Sequence, residues 1–427
     1  MNNLLTQLKL LRFTPIIVYL ILIVLISLLA ISSAIPLIDM QYPNPESYVI
    51  RQIIFYGLGT LVAFFVVLIG NERMRALRWW IYGFVLIFLI GLILKKLGLP
   101  IPLAKEVNGT YGWYELPGIG TIQPAEFMKI AIVLVVSDII QRHNELHPHH
   151  LRTFKTDFNL LLKIVLAIAP PTALILAQTD SGITMIILFF VAFMIFASGI
   201  KWRYIVSVLL VVIIGGGGFL ILVSSNPEFL INNLGVQPYQ LSRFYGWFDP
   251  FGNIQGLGYQ LVNGLVAIGS GNLIGNGFQS MTHYFPEAHT DFIFAVIGMD
   301  FGLLGTSLVV GLCLLFDYEI LNIATLNRNF FNSYVCVGIF GMLFFQQFQN
   351  IGMTIGLLPI TGITLPLISY GGSSSISYMI LFALVLNAFI EGSQIKHSEI
   401  DYHEKTLYLK TKPYLKEKFL PKNDKAN

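Results

Sequence analysis

The chain has 427 residues, of which 55% are hydrophobic and only 11% are charged. A soluble protein carries about 25% charged residues, so this composition and the mean hydropathy of +0.71 exclude a soluble globular protein and indicate a polytopic membrane protein. The net charge of +3 is small, and we expect no nucleic-acid partner. The two cysteines, Cys313 and Cys336, lie in apolar runs and do not suggest a disulfide framework or a metal site.

Ten apolar segments are long enough to cross a membrane, since each spanning helix needs roughly 20 apolar residues. We therefore predict an all-α fold with about ten transmembrane helices. The segments are 15–37, 52–70, 79–95, 124–141, 160–178, 182–200, 203–224, 291–316, 331–352 and 373–392. They form one membrane domain, residues 1–392, which is followed by a basic tail, residues 393–427.

Lysines and arginines in the connecting segments predict the orientation, because cytoplasmic loops carry an excess of them. The segments around Arg73 and Arg142 and the C-terminal tail hold most of these cations. Both termini are therefore predicted to be cytoplasmic in a multi-pass plasma-membrane protein. Segments 96–123 and 353–372 then face outward, as does 225–290, a large extracytoplasmic loop before the eighth helix.

The start of the fourth predicted helix carries a charged pair that is unusual in a membrane. Glu126 and Lys129 are three residues apart and can meet on one helix face. Two interpretations are equally supported by the sequence. The residues form an ion pair that joins two helices, or Lys129 offers a cation to an anionic substrate at the outer leaflet.

A polar turn lies between the fifth and sixth predicted helices, at Gln178-Thr179-Asp180-Ser181-Gly182. Asp180 can accept a hydrogen bond from the first turn of the next helix. That capping role is at least as well supported as direct participation in chemistry.

The last predicted helix is preceded by the polar, glycine-containing run Ser369-Tyr370-Gly371-Gly372-Ser373. Two glycines allow a tight turn, and hydroxyl and backbone N–H groups can bind oxyanions where irregular backbone lines a cavity. Helix capping alone would also explain the serines.

Asp291 lies where a polar segment containing Glu287 and His289 enters an apolar helix, and Asp300 follows nine residues later. Ionisable groups at such positions are costly and are therefore candidates for function. For Asp291 the alternative is helix-start chemistry, with Thr290 as the cap and Asp291 in the first turn. For Asp300 a hydrogen bond between packed elements is the default interpretation.

Together these stretches resemble the SEDS family of cell-wall polymerases, named for shape, elongation, division and sporulation. The resemblance covers about residues 10–392 and is carried by the order of its motifs. These are Trp113 with Ile122-Gln123-Pro124-Ala125-Glu126-Phe127-Met128-Lys129; Gln178-Thr179-Asp180-Ser181-Gly182; Ala267-Ile268-Gly269-Ser270-Gly271; Pro286-Glu287-Ala288-His289-Thr290-Asp291-Phe292-Ile293-Phe294; and Gly362 to Ser373. One departure is Met299-Asp300, where the family has a Glu-Glu pair.

The resemblance implies an inverting peptidoglycan glycosyltransferase that polymerises lipid II, with a class B penicillin-binding protein as partner and the growing lipid-linked glycan as product. It also implies that Asp291 is the residue on which activity depends, as general base. Lys129 and Arg243 are the cations we select for the leaving diphosphate, and a divalent cation, Mg²⁺ or Mn²⁺, is a candidate cofactor. No metal ligands are assigned. The other candidate substrate-binding residues are Trp113, Glu126, Gln178, Asp180, Glu287, His289, Ser369, Tyr370, Gly371, Gly372 and Ser373.

Within the family, Gln240-Leu241-Ser242-Arg243 and the following Trp247-Phe248-Asp249-Pro250-Phe251 are more similar to the RodA branch, which serves wall elongation and rod shape. The alternative is the FtsW branch, which serves cell division. A lipid II flippase, a solute transporter and a non-catalytic scaffold are further alternatives. A flippase would need polar residues through the full depth of the helices, whereas the sequence concentrates them at the outer rim.

Overall fold

The computed structural model describes residues 15–38, 44–107, 110–116, 120–148, 152–234, 238–252, 256, 258–280, 283–327 and 329–393. Apart from Ser393, which ends a helix, the predicted basic tail lies outside these described residues.

Helices make up most of the described chain. In chain order they are α1 (Pro15–Ala34), α2 (Ser47–Ile69), α3 (Asn71–Lys96), α4 (Pro124–Leu146), α5 (Phe154–Ala177), α6 (Ser181–Ala197), α7 (Trp202–Ser225), α8 (Pro227–Leu234), α9 (Pro238–Phe248), α10 (Tyr259–Ser270), α11 (Ile293–Leu326), α12 (Phe330–Thr354) and α13 (Gly372–Ser393). A short 3-10 turn, Ile35–Leu37, extends α1.

The structure confirms a polytopic membrane protein but not the number of spans. Each predicted segment overlaps one helix, yet only seven helices in the described chain are long and apolar enough to cross a membrane. An eighth is counted if Ile213–Ser225 and Pro227–Asn233, which meet at 112°, form one broken span. Helix α6 is short, with 17 residues, and α4 carries several charged residues. Ten spans therefore stay a prediction.

The fold is mostly helical, as predicted, but the segment 96–123, which is predicted to face outward, contains strands that an all-α fold does not include. This segment forms a three-stranded antiparallel sheet of β1 (Ala104–Val107), β2 (Thr110–Leu116) and β3 (Gly120–Ile122) in the order β1-β2-β3. The hydroxyl of Tyr114 donates to Phe88 O at 2.9 Å and so fastens the sheet to α3. Pairing between these neighbouring strands satisfies the backbone N–H and C=O groups of a segment that is too short to form another membrane-spanning helix.

The centre of the helical bundle is α4, whose residues are buried along almost its whole length. Helices that are apolar on all sides are buried in a core, and the charged residues of α4 pair with one another and with arginines of α3. Helix α12 packs against α6 and α11, and α13 is also largely buried. The outer helices α2 and α3 instead expose large apolar side chains, as expected for surfaces that contact lipid.

Helix α11 is broken at Gly302, where the backbone has φ +63°. Residues 272–277 insert beside the break and exchange backbone hydrogen bonds with it: Asn276 N–H donates to Met299 O at 3.0 Å, and Leu303 N–H to Asn272 O at 2.9 Å. The carboxylate of Asp300 accepts hydrogen bonds from Ser280 Oγ at 2.6 Å and from Gln279 N–H at 3.1 Å. These bonds agree with the default interpretation of Asp300, a hydrogen bond between packed elements.

Candidate active site

Asp291 lies in the turn that precedes α11 and not in the helix itself. Phe292 occupies the N-cap position, and no side chain caps this helix. The helix-start interpretation, with Thr290 as cap and Asp291 in the first turn, was therefore wrong. The carboxylate of Asp291 forms no hydrogen bond or ion pair with any residue in the described part of the chain.

The backbone at Asp291 is held by Asn350, a fully buried residue near the end of α12. Its Nδ2 group donates to Asp291 O and to Ile363 O, each at 2.7 Å. One amide therefore joins the turn before α11 to the segment before α13. Gly362, in that segment, has φ +73°, and a Cβ placed there would lie 3.4 Å from Asp291 Oδ2. Glycine thus allows the backbone to approach the acid closely.

The pKa of Asp291 is raised to about 7. Burial is the largest cause, because it disfavours the charged form, and the negative charge of Glu287 raises the pKa further. The positive charge of Arg243 acts in the opposite direction. An unpaired carboxyl group with a pKa near neutrality is suited to accept a proton in a reaction.

Glu287 and His289 lie in the turns that precede Asp291. Glu287 is exposed, has φ +56°, and accepts a hydrogen bond from Thr290 Oγ1 at 2.6 Å. The His289 ring packs edge-on against Tyr48, with ring centroids 5.0 Å apart, and its buried Nδ1 atom has no hydrogen-bond partner among the described residues. Burial lowers the pKa of His289, with Glu287 opposing, so the imidazole is neutral at neutral pH.

Ser369 and Tyr370 are brought to the same turns by direct contacts. Ser369 Oγ donates to Thr290 O at 2.6 Å, and Tyr370 N–H donates to His289 O at 2.9 Å. The Tyr370 ring packs edge-on against Tyr48, at 4.9 Å. Burial raises the pKa of Tyr370, and Arg51, which approaches its hydroxyl, acts in the opposite direction.

Gly371, Gly372 and Ser373 do not form an open oxyanion site. Gly371 N–H donates to Gln52 Oε1 at 3.2 Å, and the Gly372 Cα lies against the ring of Phe55, which leaves no room for a side chain. Ser373 Oγ accepts from Gln123 N–H at 2.9 Å. These residues attach the start of α13 to α2 and to the end of the sheet.

Asp180 caps α6 in a turn that lies beside the segment before α13. Its Oδ1 accepts from Ile183 N–H at 3.0 Å and its Oδ2 from Gln123 Nε2 at 2.9 Å, while burial raises its pKa. A Cβ placed at Gly182 would lie within 4 Å of Asp180 Oδ1, Thr361 O and the Ile363 side chain. The capping turn therefore borders the segment that carries Gly362.

Arg243 reaches the same segment from α9. Its Nη1 group donates to Thr361 O at 3.1 Å, and the Trp247 indole donates to Gly356 O at 3.0 Å. Arg243 is otherwise exposed. It is thus the predicted cation that combines proximity to Asp291 with access to a ligand.

Three of the four remaining predicted residues, Glu126, Lys129 and Gln178, bond to other parts of the helical bundle. Lys129 is fully buried, and its Nζ atom lies 2.9 Å from Glu126 Oε2 and 5.0 Å from the centroid of the Tyr378 ring. Of the two interpretations, the structure favours the ion pair between Glu126 and Lys129, because the buried Lys129 side chain is not accessible to a substrate. Gln178 is buried and donates to Leu89 O at 3.0 Å, which joins α5 to α3.

Trp113 lies on β2 opposite Lys105 and is half-buried. The sheet that carries it is tied to the Asp180 turn by a hydrogen bond of 3.1 Å between the hydroxyls of Thr179 and Thr110.

Sequence reasoning missed Asn350, Tyr48 and Arg51. Asn350 belongs to Gln346-Gln347-Phe348-Gln349-Asn350, a polar run inside an apolar segment, and that interruption was a readable signal. Tyr48 and Arg51 precede the second predicted span and carry no local signal, because only the packing of α2 against the start of α13 brings them to His289 and Tyr370.

A bound Mg²⁺ or Mn²⁺ would need several side-chain ligands close together. The described residues contain no group of three or more histidine, cysteine, aspartate or glutamate side chains that could hold a metal ion. The donor set at Asp291 thus does not fit a tightly held cation, and we derive no step through one.

The comparison with protein families settles the resemblance. The family model described as cell cycle protein, which covers FtsW, RodA and SpoVE, matches residues 13–394. The chain belongs to the SEDS family. Curated relatives include a probable peptidoglycan glycosyltransferase FtsW of Thiomicrospira cyclica, 31% identical over 86% of this chain and 89% of that one. A protein of the same name from Haemophilus influenzae is 33% identical over 83% of this chain and 84% of that one.

Solved structures share the fold of this chain. A chain of a peptidoglycan synthase complex, described as coordinating polymerisation and crosslinking, is 26% identical and matches with a TM-score of 0.68. The match covers 89% of this chain and 98% of that one. The rod shape determining protein RodA of Thermus thermophilus is 25% identical with a TM-score of 0.58, over 88% of this chain and 95% of that one.

Proposed function

We propose that this SEDS protein is a peptidoglycan glycosyltransferase that polymerises lipid II, with Asp291 as its general base. The observation that carries the proposal is the Asp291 carboxyl group, which is unpaired, partly accessible and has a pKa raised to about 7. Membership of a family whose curated relatives are named peptidoglycan glycosyltransferases supplies the reaction class.

The reaction joins the 4-hydroxyl of an acceptor sugar to the anomeric carbon of a lipid diphosphate. Asp291 takes the hydroxyl proton as the new carbon–oxygen bond forms, and the bond to the diphosphate oxygen breaks on the opposite face. Inversion of the anomeric centre follows from this single displacement. General-base catalysis contributes about 10²–10⁴-fold, so positioning of the two lipid substrates must supply much of the remaining acceleration.

The leaving diphosphate needs positive charge. Of the two cations selected from the sequence, Arg243 keeps this role in the proposal because it is exposed and acts on the pKa of Asp291. Lys129 does not, because it is fully buried beside Glu126. Arg51, which is exposed and approaches the Tyr370 hydroxyl, is the second cation that we propose.

The test is glycan-strand synthesis from labelled lipid II by purified protein with its cognate penicillin-binding protein. Asp291→Asn removes the base while keeping the shape of the side chain, and we expect a loss of at least 100-fold, the lower end of the range for general-base catalysis. Glu145→Gln, an exposed acid at the far end of α4, is the control and should retain full activity. Strand synthesis by Asp291→Asn at the rate of this control would refute the assignment.

A class B penicillin-binding protein is the partner we propose. The support is the similarity to a chain of a peptidoglycan synthase complex, over 98% of that chain. Co-purification of the tagged chain with the cognate transpeptidase from native membranes is the direct check. Recovery of the chain without any transpeptidase under mild detergent would count against a stable complex.

A flippase is less well supported by the surroundings of the deeper polar residues. Gln346 is hydrogen-bonded to Tyr378, Gln347 to Asp317, and Lys129 is paired with Glu126. These side chains engage one another between packed helices, whereas a transport path needs polar groups that face an open passage. Near Asp291, by contrast, the charged side chains of Glu287 and Arg243 are exposed.

For the cellular role we propose wall elongation, as in the RodA branch, with division as the second candidate. The motif around Arg243 and Trp247 favours elongation, whereas the FtsW names of the curated relatives favour division. Depletion in the native organism separates the two, because loss of elongation gives round cells and loss of division gives filaments. Filaments on depletion would replace the elongation role by the division role without affecting the proposed chemistry.

A further inference from the structure

A cluster of arginines surrounds one buried carboxylate at the end of the bundle opposite the sheet. Helix α3 ends near the sheet and α4 begins there, so the start of α3 and the end of α4 lie together at the other end. There Asp138 Oδ1 is 2.7 Å from Arg75 Nε, and its Oδ2 is 2.7 Å from Arg78 Nη2 and 2.8 Å from Arg142 Nε. The three arginines and one acid leave two positive charges uncompensated.

Two nearby carboxylates bond to amides and form no ion pair with these arginines in the described part of the chain. Glu72 accepts a hydrogen bond from Asn329 Nδ2 at 2.9 Å, and Glu145 accepts one from Gln141 Nε2 at 2.7 Å. Each is therefore engaged away from Asp138. Arg73, next to Glu72 in the sequence, is exposed and adds a further cation to the same end of α3.

Several guanidinium donors in the cluster make no hydrogen bond to the residues that the structure describes. Arg75 and Arg142 each use only Nε toward Asp138, and a guanidinium carries five N–H donors. The Arg78 side chain is only 10% exposed, and its buried Nε group has no hydrogen-bond partner among the described residues. Arg142 is 60% exposed and can turn its remaining donors toward a ligand. Bidentate contacts to a phosphate are the interaction that such donors favour.

Two exposed tryptophans adjoin the cluster. Trp79 and Trp80 follow Arg78 directly and are 48% and 79% exposed. Tryptophan is enriched where a membrane protein crosses the headgroup region, because its ring is apolar and its N–H is polar. The arginines and tryptophans together describe a surface at headgroup depth, and basic pockets between helices bind anionic lipid headgroups.

We propose that this surface, which we call the Asp138 cluster and define as Arg75, Arg78, Asp138, Arg142, Trp79 and Trp80, binds the phosphate of an anionic phospholipid. Arg142 and Arg75 contact the phosphate, and the tryptophans hold the glycerol and acyl region. The bound phosphate offsets the repulsion among three cations on one acid and so stabilises the packing of α3 on α4. This site is separate from the Asp291 region and does not depend on the proposed chemistry.

The test measures lipid binding to the full-length purified protein by native mass spectrometry, with phosphatidylglycerol and phosphatidylcholine of identical acyl chains. We expect tighter binding of phosphatidylglycerol, and about fivefold weaker binding in Arg142→Gln, the factor expected for one arginine at an anionic lipid surface. Arg75→Gln should weaken binding similarly. Arg203→Gln is the matched control, since Arg203 is an exposed arginine at the start of α7, and it should leave binding unchanged.

A thermal unfolding titration provides the second readout, because a ligand of the folded state raises the midpoint more, at a given concentration, the tighter it binds. Phosphatidylglycerol should raise the midpoint of the wild-type protein more than that of Arg142→Gln. Equal binding of both lipids, or an Arg142→Gln effect no larger than that of Arg203→Gln, would overturn the proposal. Stabilisation by inorganic phosphate alone equal to that by phosphatidylglycerol would overturn the assignment to a lipid.

Discussion

At the scale of single residues, the protonation of Asp291 connects structure to activity. Its pKa of about 7 results from burial and from the opposed charges of Glu287 and Arg243. A carboxyl group whose pKa is raised binds a proton over a pH range in which the unfolded chain has already released it. The folded state is consequently most stable, as far as Asp291 is concerned, below pH 4, and loses that contribution as the pH rises to about 7.

The rate of strand synthesis should therefore rise with pH and level off above about pH 7, because the base must be deprotonated. Glu287→Gln removes a negative neighbour and should move the midpoint of this profile to lower pH, whereas Arg243→Gln should move it to higher pH. Initial rates between pH 5 and pH 9 give the three midpoints. Shifts of the same sign in both variants would contradict this account of the electrostatics.

Asn350 tests whether the position of Asp291 matters as well as its charge. Asn350→Ala removes both hydrogen bonds of 2.7 Å and leaves the buried carbonyl group of Ile363 and the partly buried one of Asp291 without this donor. We expect a loss of about 1–3 kcal/mol in the free energy of unfolding and a lower kcat. Ser333→Ala, at the other end of α12, also loses a hydrogen bond and serves as control. Thermal unfolding measures the loss of stability, and steady-state kinetics measures kcat. A wild-type kcat in both variants would contradict a positioning role for Asn350.

At the scale of elements, the break in α11 explains how a loop is held against a membrane helix. Hydrogen-bonding groups at a helix break are costly unless another element satisfies them, and residues 272–277 do so here. Small residues make this approach possible, since a Cβ at Gly302 would lie 2.5 Å from Gly275 N. The conformation at Gly302, φ +63°, also favours glycine.

Gly302→Ala should therefore destabilise the protein by about 1–3 kcal/mol, through strain at positive φ and displacement of the inserted segment. Gly311→Ala is the matched control on the same helix, because a Cβ there meets no atom within 4 Å. Midpoints of thermal unfolding in detergent compare the two. Equal midpoints would show that the segment does not need glycine at the break.

At the scale of the whole molecule, the orientation in the membrane is predicted from charge and is open to direct labelling. Both native cysteines are buried, so an introduced cysteine gives a clean signal. In intact cells, Lys105→Cys on the sheet should react with an impermeant maleimide, and Arg203→Cys at the start of α7 should react only after lysis. The reverse pattern would place Asp291 on the cytoplasmic side and remove the basis for an outward polymerase site.

The sequence by itself determined the membrane character, the places of the helical segments and the family motif that contains Asp291, because hydropathy and motif order are local properties of the chain. It left open whether Glu126 and Lys129 bind substrate, and it did not anticipate the sheet or Asn350. Those depend on contacts between residues far apart in the chain. Lys129 is buried because Tyr378 and Glu126 enclose it, and Asp291 has a raised pKa because packing removes water from it. Burial, which only the tertiary structure decides, separates a structural ion pair from a candidate base.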